Sequence, residues 1–255
     1  MRTFLRLIAP AIGVSIACAA LAAVPAVSAA STSGPAHHPG ITFGHRIGGT
    51  ALASPAAARA GFNINGYNWS GAAATGSGFT STSASWTEPS VTCNSTNDLM
   101  APWVGIDGYG SNTVEQTGVA TDCSSGHPVY QGWYEMYPAG PVYYSNAVSA
   151  GDKFNASVTR SGSTYTLTLS DTTRGWTKTT VKSLNARNVS AEVIIESPTA
   201  AYPKFGTVSF SNAKINGSNL ANFNPVLMDA SNSSGYEDHT STVSGGSFSI
   251  SYLHE

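Results

Sequence analysis

Charge is scarce in this chain, and acid is missing from its first third. Its 255 residues include only 12 Lys and Arg and 14 Asp and Glu, and the first acid is Glu88. Residues 1–60 carry four arginines, Arg2, Arg6, Arg46 and Arg59, while from residue 61 onward eight basic residues face fourteen acidic ones. This acidic balance argues against a nucleic-acid partner, which needs clustered Lys and Arg. Cysteine is almost absent. Cys18, Cys93 and Cys123 are the whole complement, and no Cys/His group has zinc-site spacing. Neither a Gly-x-Ser-x-Gly elbow nor a pair of Asp-Thr-Gly or Asp-Ser-Gly segments occurs, which argues against a serine hydrolase and a pepsin-like dyad. Past the first thirty residues, no apolar run is long enough to span a bilayer and no window shows a long pattern of helical period.

The N-terminus reads as a signal peptide over residues 1–30. Arg2 and Arg6 precede an apolar stretch from Leu7 to Val24, and Val27-Ser28-Ala29-Ala30 supplies a small-residue cleavage site. Pro10 and Pro25 interrupt the stretch, which disfavours a membrane anchor. The expectation is a secreted, extracellular protein, monomeric, with no stable membrane association after signal cleavage. Cys93 and Cys123 are then expected to form a disulfide closing a loop of about 30 residues, with buried free thiols as the alternative. Residues 31–60 are rich in Ala, Ser, Gly and Pro with three histidines, and read as a pro-segment or flexible linker. A basic pro-segment lying over an acidic cleft is one version of that reading, with a mature start near Gly61. A leader without fixed structure is the other.

Residues 61–255 form the remaining domain, and they read as strand, turn, strand. Tyr165, Leu167 and Leu169 alternate with polar residues, as do Val208 and Phe210, and Phe248, Ile250 and Tyr252. Thr, Val and aromatic residues broken by Gly, Asn, Ser and Pro turns predict an all-β fold, an antiparallel two-sheet β-sandwich of the concanavalin A-like jelly-roll kind.

Three strand-like segments hold polar groups that a fold alone does not require. Val114-Glu115-Gln116-Thr117-Gly118 puts Gln116 and Glu115 on opposite faces, and it follows a segment in which Trp103, Gly105 and Asp107 share a face. Gly132 to Pro138 puts Trp133, Glu135 and Tyr137 together. Ala191 to Glu196 puts Ala191, Val193 and Ile195 on one face and Glu192, Ile194 and Glu196 on the other, the two glutamates about 13 Å apart along the strand. Read alone, Gln116, Glu192 and Glu196 suit a solvated strand face, and Glu135 suits either a rim or a site.

The ordered set Asn68-Trp69-Ser70-Gly71, Trp103-Val104-Gly105-Ile106-Asp107-Gly108, Glu115-Gln116-Thr117-Gly118, Trp133 to Pro138, Ala191 to Glu196 and Phe205-Gly206-Thr207-Val208 resembles the glutamic peptidases, or eqolisins. That resemblance implies two seven-stranded antiparallel sheets with a concave substrate face, and endopeptidase activity at acid pH on protein or peptide substrates with no cofactor and no metal. It implies Gln116 and Glu196 as the catalytic pair, with Glu192 as the alternative glutamate, and Trp103, Asp107, Glu135 and Tyr137 as supporting or substrate-binding residues. Val193 departs from the Trp that is common in the family at that position.

The pairing makes chemical sense. A carboxylate can take a proton from water at low pH, and a glutamine amide donates to an oxyanion without itself titrating. Two other readings use the same residues. A glycoside hydrolase would employ Glu135 with Glu192 or Glu196 as paired carboxylates, and a non-catalytic carbohydrate-binding sandwich would use Trp103, Trp133 and Tyr137 for stacking.

Overall fold

A computed structural model describes His38, residues 40–44 and residues 61–254 of the chain, all within one compact unit. The signal-peptide expectation over residues 1–30 and most of the 31–60 segment lie outside the described residues.

Strands dominate because Thr, Val and aromatic side chains alternate along short segments closed by turn residues. In chain order they are β1 (Ile64–Tyr67), β2 (Trp69–Thr75), β3 (Ser81–Thr87), β4 (Leu99–Ile106), β5 (Val114–Asp122), β6 (Val129–Tyr137), β7 (Val142–Tyr143), β8 (Lys153–Ser161) and β9 (Thr164–Asp171). They continue as β10 (Trp176–Ser183), β11 (Ser190–Glu196), β12 (Thr207–Ile215), β13 (Ser218–Asn219), β14 (Val226–Asn232), β15 (Gly235–Tyr236), β16 (Asp238–Thr240) and β17 (Phe248–Tyr252). A single 3-10 turn, Leu220–Phe223, is the helical part of the described residues.

Two sheets stack as a sandwich. The first runs β1-β14-β2-β11-β4-β5-β6-β7 with β15 on β14, and the second runs β10-β9-β8-β3-β12-β17-β16 with β13 on β12. Counting these short strands, the sheets have nine and eight strands rather than seven each. The pairing is antiparallel except at β1, which runs parallel to β14. Asn63 anchors the start of β1 on β14. Its backbone N–H and its side-chain Nδ2 both donate to the Asp229 carboxylate on β14, at 2.8 and 2.9 Å. The chain then reverses through Tyr67, whose φ is +61°.

The core lies between the sheets and follows the period-two reading. Met100, Val104, Ile106, Val119, Val193 and Ile195 of the first sheet meet Phe154, Val158, Leu167, Leu169, Phe210 and Ile250 of the second. Each such side chain contributes about 1.5–3 kcal/mol on leaving water. Tyr165, Leu167 and Leu169 are all buried, as their alternation requires. The Cys93–Cys123 disulfide is formed and ties the segment after β3 to the end of β5.

The outer face of the first sheet is the feature that matters for function. An antiparallel sheet facing water on one side should be polar there. Here β5 is buried at all nine positions and β11 at all seven. Trp69, Trp103, Trp133 and Ile194 form a second apolar cluster on this outer face.

Carboxyl groups are buried with them, in both layers. Burial raises the pKa of Glu88 to about 7 and that of Glu115 to about 8, and Glu192 and Asp238 are pushed well above the usual carboxylate range for the same reason. Folded-state values above the unfolded ones mean that these groups favour the fold fully below the unfolded pKa, near 4.5, and that the contribution is lost as pH rises through about 7 and 8. We therefore expect thermal melting by circular dichroism to show a midpoint lower at pH 8 than at pH 4 by at least about 5 °C. A midpoint that rises over that interval would contradict the assignment of these carboxyls as buried and neutral.

Candidate active site

Register across the first sheet explains how the polar residues meet. Gln116 on β5 stands directly opposite Glu135 on β6 and, on its other side, opposite Gly105 on β4. Gly105 in turn faces Glu192 on β11. Gln116, Glu135, Glu192 and Glu196 therefore project from one face, the same face that carries Trp69, Trp103 and Trp133. Gly105 keeps the row open. A Cβ there would come within 2.9 Å of the Trp103 ring and 3.2 Å of the Gln116 Cβ.

Four of the expected residues come together. Gln116 Nε2 donates to Glu135 Oε2 at 3.2 Å, and Trp103 Nε1 donates to Glu196 Oε2 at 3.1 Å. Gln116, Glu135, Glu196 and Trp103 are all fully buried. Glu135 and Glu196 are close enough to interact electrostatically, which adds to the rise in the Glu135 pKa. Burial is the largest cause for both. It lifts Glu135 to about 9 and Glu196 to about 8, against opposing hydrogen bonds from Phe43 and Gln116 to the first and from Gly44, Trp103 and Asn68 to the second. The reading of Gln116, Glu192 and Glu196 as solvated strand residues is thereby corrected, since all three have no exposed surface.

Glu192 and Asp107 belong to a different group. Glu192 Oε1 accepts from the Tyr109 N–H at 3.2 Å and feels the charges of Asp107 and Glu115. Asp107, with φ of +65°, accepts from the N–H groups of Asn188 and Val189 at 2.6 and 2.8 Å. It thus ties the end of β4 to the segment entering β11, and its carboxylate bonds to that backbone. Tyr137 closes β6 and packs against the outer apolar cluster.

Residues that sequence reasoning did not single out complete the site. Asn68 Nδ2 donates to Glu196 Oε1 at 3.2 Å, and Trp69 stands opposite Glu196 in register and edge-on to Trp103 at 5.0 Å. Their signal was present in the Asn68-Trp69-Ser70-Gly71 motif, without a role attached. Phe43 and Gly44 carried no signal at all. The Phe43 N–H donates to Glu135 Oε2 at 2.8 Å and the Gly44 N–H to Glu196 Oε2 at 2.7 Å.

The chain is similar to known proteins. The family model described as the Peptidase A4 family matches residues 67–252. A crystal structure of scytalido-glutamic peptidase with a transition state analog inhibitor is 27% identical, covers 73% of this chain and 98% of its own, and superposes with a TM-score of 0.65. SCP-B, a member of the eqolisin family solved with the tripeptide Ala-Ile-His, is 26% identical over 73% of this chain and 98% of its own, with a TM-score of 0.62. Aspergilloglutamic peptidase from Aspergillus niger is 29% identical over 61% of this chain and 99% of its own, with a TM-score of 0.54. A search of curated proteins gives no match. The carbohydrate-directed alternatives fall with these findings. With its sandwich fold and a match over residues 67–252, the chain belongs to the Peptidase A4 family, the glutamic peptidases, and is an endopeptidase acting on protein or peptide substrates.

Proposed function

We propose that this protein is a secreted acid endopeptidase in which Glu196 activates water and Gln116 stabilises the oxyanion. The observation that supports this reading is the surroundings of a single peptide residue, Gly44. Its N–H meets Glu196 Oε2 at 2.7 Å, and a Cβ on the same residue would lie 2.5 Å from Gln116 Nε2. One stretch of peptide backbone thus reaches both members of the pair at once, as a substrate must.

The steps follow from the donors and acceptors present. Ionised Glu196 takes a proton from a water molecule, whose oxygen adds to the scissile carbonyl carbon. The carbonyl oxygen becomes an oxyanion. Gln116 Nε2 carries two N–H bonds, and with one directed to Glu135 the other is available to the oxyanion. Collapse breaks the C–N bond, and the proton held on Glu196 passes to the leaving nitrogen. Glu135 acts through Gln116 by fixing the orientation of its amide, so it is a positioning residue. Trp103 and Asn68 hold the Glu196 carboxyl from either oxygen. Glu192, committed to Tyr109 and the Asp107 group, serves structure in this reading.

Acid action follows from two carboxyls packed together. Glu196 must ionise for water activation, and Glu135 beside it must stay protonated, since its charge would oppose the oxyanion. With Phe43 and Gly44 seated on the two carboxyls, burial lifts Glu196 to about 8 and Glu135 to about 9. Once that segment leaves and water reaches the groove, the Glu196 pKa falls toward the ordinary carboxylate range and the group ionises at acid pH, while its charge holds the proton on Glu135. Secretion rests on the signal-peptide reading and agrees with the disulfide.

Gln116→Ala and Glu196→Gln are each expected to lower kcat/KM on a protein substrate at acid pH by about 100-fold or more. Glu192→Gln is expected to stay within about tenfold of the parent. Full activity in Gln116→Ala would sink the mechanism, and a dead Glu192→Gln beside an active Glu196→Gln would exchange the two glutamates. Glu135→Gln removes the group whose deprotonation ends activity on the alkaline side. Its kcat/KM profile should extend to higher pH than the parent, and an unmoved alkaline limb would show that Glu135 does not set it.

A further inference from the structure

Behind Glu196 stands a tyrosine to which the mechanism gives no part. β11 ends at Glu196, and the chain then turns tightly over residues 197–201. The Ala200 N–H donates to the Ser197 carbonyl at 2.9 Å, the Ala201 N–H donates to Ser197 Oγ at 3.0 Å, and Ala200 takes a φ of +52°. This turn folds Tyr202 back beneath the strand the chain has just left. The ring is fully buried in the core between the sheets and not in the groove. Its hydroxyl donates to the Asn68 carbonyl at 2.7 Å and stands 3.3 Å from the Ile195 carbonyl. The backbone around the ring is pinned as well. The Leu99 N–H donates to the Ala201 carbonyl and Asn94 Nδ2 to the Tyr202 carbonyl, each at 3.1 Å.

A phenylalanine would fill the same space without a polar atom to satisfy, and a buried hydroxyl is costly unless it is bonded. What matters is the acceptor this hydroxyl meets. Asn68 immediately precedes β2 and is joined to the end of β11 by both its backbone and its side chain. Its carbonyl accepts from the Ser197 N–H at 2.9 Å as well as from Tyr202, and its Nδ2 donates to Glu196 Oε1 at 3.2 Å. Glu196 Oε2 is served by Trp103 and Gly44, so Oε1 relies on Asn68. A separation of 3.2 Å lies at the long edge of hydrogen bonding, and a small drift of the Asn68 peptide would lose the contact.

We propose that Tyr202 is a positioning residue for the peptidase reaction, holding the Asn68 carbonyl so that the Asn68 amide stays on Glu196 Oε1. On the mechanism above, on which this proposal rests, Glu196 must be ionised to take a proton from water. An amide that donates to the carboxylate favours the ionised form and keeps it available at acid pH. Glu135 faces Glu196 from β6 and opposes that ionisation with any charge of its own, which makes the donor on Oε1 count for more. On the other side of the sheet, Asp238 and Glu237 approach Tyr202, and burial together with these carboxyls pushes its pKa well above the usual tyrosine range. The hydroxyl therefore remains a donor wherever the enzyme works. Tyr202 acts from the core and does not touch substrate.

Tyr202→Phe keeps the ring and removes only the hydroxyl. On a soluble peptide substrate, kcat is expected to fall about three- to tenfold with KM unchanged. Loss of a donor to the ionised carboxylate raises the Glu196 pKa, so the acid limb of the kcat/KM profile should move up by at least about half a pH unit. In an Asn68→Ala background the same substitution should change neither quantity further, because the two residues act as one path. An unmoved acid limb, or losses that simply add to those of Asn68→Ala, would show a tyrosine that only fills the core and would overturn the proposal. A second readout needs no catalysis. Exchange of the Asn68 side-chain amide hydrogens with water, followed by NMR in the full-length chain, should quicken at least about tenfold in Tyr202→Phe. Unchanged exchange would also overturn the tether. Failure of the dyad reading shows separately, as cleavage retained by Glu196→Gln, while the amide exchange still reports whether Tyr202 holds Asn68.

Discussion

The hydrogen bond from Gln116 to Glu135, made between facing strands on a buried sheet face, is the interaction on which the site depends. Antiparallel register puts the two side chains side by side, and burial gives the bond its strength and its chemistry. The carboxyl cannot ionise cheaply there, so it remains an acceptor that holds the amide in one orientation. That in turn leaves the second N–H of Gln116 directed away from Glu135. Glu196 joins from two strands across, held by Trp103 and Asn68. Without burial the same residues would be ordinary solvated polar groups at ordinary pKa values.

Burial on that face is a property of the whole sheet. Alternate residues of β4, β5 and β11 feed the core between the sheets, and their neighbours feed the groove. The tryptophans line the groove, and the glycines between them, Gly105 and Gly118, leave no Cβ in their way. Burying several carboxyls in this way makes neutral pH costly for the fold and acid pH congenial to it. Stability and catalysis thus share one cause. The burial that raises the Glu135 pKa, on which the proposed reaction relies, also raises those of Glu88, Glu115 and Glu192.

Much of this was legible in the sequence, and the limits of that reading are physical. The alternation at Tyr165, Leu167 and Leu169 identified strands and their buried face, because period two is a local property. Gln116 and Glu135 were singled out through resembling motifs. That they stand opposite one another was not readable, since register is fixed by turns and pairing far apart in the chain. The choice between Glu192 and Glu196 has the same origin. Four residues apart on one strand face, they differ only in what the neighbouring strands bring to them, Tyr109 and Asp107 in one case, Trp103, Trp69 and Asn68 in the other. The parallel pairing of β1 with β14, where Asn63 meets Asp229 across 166 residues of sequence, is not written in any local pattern. Phe43 and Gly44 lay in a stretch with no periodicity, and only the fold shows which carboxyls they contact.

The central claim is that Gln116 supplies an oxyanion donor that does not titrate. The most direct measurement is the pH dependence of kcat/KM for Gln116→Glu beside the parent. A glutamic acid of the same length can donate only while protonated. The account predicts that this variant retains activity at the most acidic end and loses it as pH rises, well before the parent does. A variant whose profile falls at the same pH as the parent, or that is equally impaired at every pH, would contradict the role assigned to Gln116.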